Sequence, residues 1–143
     1  LQDQNSLLEA MRKYIEKCPF IADIDVLHID QVDDEPISYS IQTSGLILNS
    51  EDILGNQIWQ YNAILQSREY TADDLSRLNA SAFTEQFIFW INDNNRNDIY
   101  PAISKGKPVR ITADNGILLS LDDDGDRGVY QIQIHLIFER EGF

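Results

Sequence analysis

Thiol chemistry in this chain would rest on Cys18, its single cysteine, with His28, one of two histidines, as the base. A thiolate needs a base held beside it to act as a nucleophile, and a strand histidine ten residues after a helix-end cysteine fits no such motif. The pair reads as a buried structural thiol and a half-exposed histidine. His135 falls on the polar side of an alternating run and reads as a surface histidine. The turn Asp122-Asp123-Asp124-Gly125-Asp126 invites calcium, but Ser120 stands where the first acidic ligand belongs and Gln131 where a bidentate glutamate would close the loop. It reads as a solvated turn. No phosphate-binding glycine loop, zinc spacing or nucleophile elbow is present, and paired carboxylates are too common here to mark a site. The sequence therefore predicts no enzyme, no metal and no cofactor.

What remains is charge at element junctions. Arg68-Glu69 precedes a helix start, where Arg68 either pairs locally with Glu69, Asp73 or Asp74, or forms an ion pair between subunits.

The elements that carry these residues can be read from hydrophobic period. Trp59, Tyr61, Ala63 and Leu65 alternate with Gln60, Asn62 and Gln66, the pattern of a half-buried strand. Thr71-Ala72-Asp73-Asp74 sets a hydroxyl before a carboxylate and predicts a helix start. Leu75, Leu78, Ala82, Phe83, Phe87, Trp90 and Ile91 then form an apolar stripe, with Arg77, Glu85 and Asp93 facing water. The weak helix formers Asn79-Ala80-Ser81 mark where that helix could split into a short and a long piece. An earlier helix spans about Ser6 to Lys17, opened by the capping box Ser6-Leu7-Leu8-Glu9 and stopped by Pro19. Its apolar side is Leu7, Leu8, Met11, Tyr14 and Ile15, and Glu9 is placed to pair with Lys13.

Ile24 to Asp30 reads as a strand, Asp33-Asp34-Glu35-Pro36 as a turn, and Ile37 to Gln42 as a second strand antiparallel to the first. Thr43 to Asn56 keeps no period and reads as a long binding loop, with Asn49, Glu51, Asp52 and Ile53 as candidate subunit or partner contacts. Asn92 to Asp98 reads as a polar exit from the second helix. Val109 to Ala113, a two-residue Asn115-Gly116 turn and Ile117 to Leu121 read as a hairpin. Val129 to Glu139 alternates most regularly, and its length suits an interior strand. The sum is one domain over residues 1–143, an α+β fold: a mostly antiparallel mixed sheet of about six strands with two main helices on one face.

Composition narrows the partners. A hydrophobic fraction of 43% predicts a globular soluble chain, and nothing approaches the roughly 18 apolar residues of a membrane span, so no membrane partner is expected. No basic leader with an apolar run opens the chain, so no export signal is expected. A net charge of −13 and only eleven basic residues, none clustered, argue against an outer surface that grips nucleic acid. The acidity either keeps the domain soluble or lines a surface past which another polyanion moves without sticking.

Several stretches together resemble the small tail-terminator or tail-completion ("minor capsid") proteins of long-tailed phages and prophages of low-GC Gram-positive bacteria. The matching residues are Tyr14-Ile15-Glu16-Lys17-Cys18-Pro19-Phe20, Ser67-Arg68-Glu69-Tyr70, Phe83-Thr84-Glu85-Gln86-Phe87, Trp90-Ile91, Gly106-Lys107 and Tyr130-Gln131-Ile132-Gln133-Ile134. The chain departs from that family pattern at Thr43–Asn56 and Asp122–Asp126. The resemblance implies a ring, expected to be a hexamer, that caps the tail tube, stops its polymerisation and presents a face to the head-tail connector. Implied partners are other copies of the chain, the tail tube protein and the connector protein, with DNA only as passing cargo. The implied location is the virion tail or neck, after assembly in the host cytoplasm. In such a ring Asp122, Asp123, Asp124 and Asp126 are candidate lumen or loop acids. Three other functions compete: a connector-side neck or stopper protein, a small ligand-binding or hydrolytic domain, and an acidic DNA mimic.

Overall fold

The computed structural model describes residues 6–19, 21, 27–29 and 38–142. Ser6 opens the first helix, α1 (Leu7–Ile15), by accepting the Glu9 backbone N–H at 3.1 Å, the capping bond that its sequence predicts. Glu9 then meets Arg12 at 3.5 Å, one turn on, rather than Lys13. Ala10, Met11, Tyr14 and Ile15 are the buried side.

Four long strands and one short one make a single sheet. They are β1 (Leu27–Ile29), β2 (Ser38–Glu51), β3 (Gln57–Tyr70), β4 (Lys107–Leu121) and β5 (Arg127–Arg140), in the order β1-β2-β3-β5-β4. Among the described residues five strands stand where about six were expected, because Val109–Ala113 and Ile117–Leu121 are one strand, and a second expected break only lengthens β2. Thr43 to Glu51 is the second half of β2, paired with β3 as far as Glu51↔Gln57, with register shifts between Thr43 and Gly45 and between Leu48 and Ser50. Those shifts scramble the alternation, so a strand reads as a loop. Likewise Asn115-Gly116 is not a hairpin. Asn115 does take positive φ (56°), but β5 pairs with both halves of β4, so the turn residues form an irregularity inside one strand.

The short β1 runs parallel to β2, Leu27↔Tyr39 to Ile29↔Ile41, and corrects the antiparallel pair expected there. The remaining pairings are antiparallel. Ile24 to Val26 and the turn at Asp33–Pro36 lie outside the described residues. β5 sits between β3 and β4, the interior place its length predicts.

The second helix, α2 (Asp74–Arg96), runs unbroken through Asn79-Ala80-Ser81. Its N-cap is Asp73, which accepts the Ser76 N–H at 2.7 Å, not Thr71. Thr71 is used elsewhere: its hydroxyl donates to the Gly125 carbonyl and its N–H to the Asp126 carbonyl, each at 2.8 Å. The expected polar exit is instead the last helical turns. Asn95 Oδ1 accepts the Ile111 N–H at 2.9 Å and Asn92 Oδ1 accepts the Ala113 N–H at 3.3 Å, so α2 satisfies outward-facing donors along the edge strand β4. Gly116 lets that helix lie close, since a Cβ there would come within 2.9 Å of the Thr84 side chain.

Both helices cover one face of the sheet and share one core. Ile41, Tyr61, Leu65, Ile111, Ile132, Ile134 and Leu136 rise from the strands to meet Met11, Ile15, Phe83, Phe87 and Ile91. Along α2 the aromatics step from Tyr39–Phe83 (5.0 Å) through Phe83–Phe87 (6.1 Å) and Phe87–Trp90 (5.8 Å) to Tyr14 (5.3 Å), tying β2 to α1 in tilted contacts. Leu75 and Leu78, expected in the stripe, are 68% and 66% exposed at the start of α2. Among the described residues no helix is long and apolar enough to cross a membrane.

Candidate functional site

The thiol is out of reach of solvent. Cys18 is fully buried just past α1, its N–H donating to the Ile15 carbonyl at 2.9 Å and its carbonyl accepting from Ile21 at 3.1 Å. His28 stands in β1, and its side chain lies outside the described residues. His135 is on the sheet face away from the helices, with Nδ1 at 2.7 Å from Asn62 Oδ1 and Nε2 at 3.5 Å from Asp114. Cys18, buried under the helix-covered face, and His135, on the opposite face, are not brought together. Among the described residues no group of three or more His, Cys, Asp or Glu is placed to hold a metal.

The acidic turn is built by its own backbone. Asp122 N–H donates to the Arg127 carbonyl at 2.9 Å, Gly125 N–H to the Asp122 carbonyl at 2.9 Å, and Asp126 N–H to Asp124 Oδ1 at 3.0 Å. Arg68 reaches across from β3 to Asp122 at 3.2 Å, an ion pair that ties β3 to this turn. Together with the two bonds from Thr71, this fixes the turn against the β3–α2 junction.

Glu69 turns inward beside Arg68 and is only 6% exposed. Its Oε2 has no hydrogen-bond partner among the described residues. Burial pushes its carboxyl up to about 7, offset in part by the nearby Ser67 hydroxyl. Tyr39 and Tyr130, both close enough to feel that charge, are also raised, chiefly by burial. Tyr14 is pushed up to about 12 by burial, against the bond that it accepts from Asn94 at 3.0 Å.

At the opposite end of the sheet, the β2–β3 turn is equally well organised. Asp52 Oδ1 accepts from the Leu54 N–H (2.9 Å) and the Asn56 N–H (3.0 Å), and Oδ2 accepts from the Asn56 amide (3.0 Å). The donors of Asn56, with those of Leu54 and Gly55, hold the Asp52 carboxyl below its usual value. Gly142 N–H donates to Asn56 Oδ1 at 3.0 Å, pinning the residues after β5 to the hairpin. The turn displays Ile53, 100% exposed, and Leu54, 70% exposed. Asn49 and Glu51 lie on the β2 arm below it, Asn49 donating to Gln60 at 3.4 Å and Glu51 paired with Gln57.

Sequence reasoning missed the exposed apolar tracts. Leu46, Ile47 and Leu48 are all exposed on the β2 arm, and Ile117, Leu118, Leu119 and Leu121 on the β4 arm. Three consecutive apolar residues on a strand must point to both faces, so one of those faces leaves the core; that was the available signal. Where the β2–β3 arm meets α1, a groove of about 390 Å³ opens over Leu7, Leu46, Trp59 and Phe138, with Lys105 and Arg140 at its rim.

No protein-family model matches the sequence, and no curated protein matches it. The structure is similar to a chain in a solved structure of the virion of a native gene transfer agent particle. The two align with a TM-score of 0.58 and 11% sequence identity, over 94% of this chain and 96% of that one. At that identity the likeness is one of fold, carried nearly end to end.

Proposed function

We propose that this chain is a virion structural protein, a tail terminator that acts by shape rather than by catalysis. A ring of copies, expected to be a hexamer, sits on the last ring of the tail tube. It leaves the next tube subunit no complementary surface and offers its other face to the head-tail connector. The supporting observation is the end-to-end fold likeness to a virion chain. It agrees with the tail-terminator resemblance in sequence and with apolar residues left uncovered at both ends of the sheet. With a net charge of −13, the wall of such a ring would repel DNA phosphates and keep transit free of sticking.

The test is direct labelling. Tagged protein added to purified tail tubes should mark one end of each tube in electron micrographs. Label scattered along the tubes, or absent from them, overturns the reading. Label recovered with DNA-filled heads and not with headless tails moves the protein to the capsid side of the neck.

A further inference from the structure

The apolar groove and the acidic turn stand at opposite ends of the same strands. The groove lies where β3 begins and β5 ends, beside Trp59, Phe138 and Arg140. The acidic turn lies where β5 begins, next to Tyr70 and Thr71. Strands of 14 residues separate them by roughly 45 Å. The groove offers an apolar floor under two cationic side chains, Lys105 and Arg140. The turn offers exposed Leu119 and Leu121 directly before Asp122, Asp123, Asp124 and Asp126. A volume of about 390 Å³ accommodates side chains of that size, and the charges are of opposite sign.

We infer that the β4–β5 turn of one copy docks in the α1–β2–β3 groove of the next, a head-to-tail contact between copies of this chain. Leu119 and Leu121 cover Leu46 and Trp59, while Asp123 and Asp124 meet Lys105 and Arg140. Because knob and socket differ, the contact is heterologous, and repeated copies close into a ring or run on as a filament. The turn arrives already shaped, since Thr71 and Arg68 brace it from within its own chain, so little order is lost on docking. The inference deepens the capping reading, on which it rests for what the assembly is for.

Mass in solution tests it, by light scattering across protein concentration at two ionic strengths. The wild-type chain should grow past a dimer with concentration and shrink as salt screens the contact. Arg140→Glu breaks only the socket; the double variant Asp123→Asn with Asp124→Asn removes the knob's charge while an amide Oδ1 at position 124 still accepts the Asp126 N–H. Each should lower the association constant at least about tenfold, with circular dichroism and thermal midpoint unchanged. Mixed one to one, the intact knob of the first and the intact socket of the second should restore dimers and nothing larger. The contact is overturned if the wild-type chain stays monomeric to about 1 mM, saturates at a dimer, or if either variant assembles as the wild type does. Tube labelling is read separately: a chain that marks tube ends yet stays monomeric loses this contact and keeps the capping reading. Self-association through the groove without tube binding does the reverse.

Discussion

Tyr61, Ala63 and Leu65 on β3, with Ile132, Ile134 and Leu136 on β5, point at the helices, and none is more than 2% exposed. The residues that alternate with them, Gln60, Asn62, Gln66, Gln131, Gln133 and His135 together with Ile64, point the other way and are half-buried. The polar ones hold one another instead: Gln60 donates to Asn62 Oδ1 at 2.8 Å, His135 lies 2.7 Å from that same oxygen, and Asn115 donates to Gln133 at 3.2 Å. One strand pair thus carries a surface held by exclusion of water and a surface held by amide contacts. Apolar burial contributes about 1.5–3 kcal/mol per large side chain, whereas an exchanged hydrogen bond nets about 0.5–1.5. Stability should therefore reside on the helix side, leaving the amide side free to vary.

The sharpest way to break that comparison is Phe87→Ala, which empties the middle of the aromatic row beneath α2. A loss of about 3–5 kcal/mol is expected in chemical denaturation. A much smaller loss would mean that the helix side is not the stabilising one.

Glu69 is the exception on the covered side, and it gives the next largest effect. Its folded carboxyl, at about 7, is raised from 4.5, so the native state holds the proton more tightly than the unfolded chain. This contribution is fully present below about 4.5 and is lost as pH rises through about 7. Glu69→Gln removes the ionisable group, so the variant should gain roughly 1–3 kcal/mol on the wild type at pH 8 and little at pH 4. Parallel curves of thermal midpoint against pH for the two proteins would refute the assignment. The smallest effect belongs to the amide side: Gln133→Ala should shift stability by less than about 0.5 kcal/mol, and a loss of several would show that face to be a second core.

Where local chemistry decided the structure, it was legible. Ser6 with Glu9 fixed the start of α1, and the strict alternation from Tyr130 to Phe138 fixed β5 and its buried side. Elsewhere distant parts of the chain decided. Asn92 and Asn95 weaken a helix in isolation, yet here their side chains satisfy β4 amides that no local pattern points to. Asn115-Gly116 carries a turn signal and takes its backbone geometry, but pairing with β5 on both sides absorbs it into a strand. Thr71 looked like the cap of α2 and was claimed by the acidic turn, leaving Asp73 to cap. For the candidate site, the acidic turn was read from its charges and the β2–β3 turn from a stretch without period. The groove was not found, because Leu7, Leu46, Trp59 and Phe138 come from four separate stretches.

The β3–β5 pairing has a consequence for how the chain comes together in time. β2–β3 and β4–β5 are hairpins that close over short loops, but the joint between them sets Gln57 against Arg140 and Tyr70 against Arg127. Such distant partners are slow to meet, since the entropy of closing the long loop is lost before any contact is gained. On a ribosome, the centre of the sheet stays open until β5 emerges. Each half would expose a bare strand edge in the meantime, and the sheet closes only after β5 has been made.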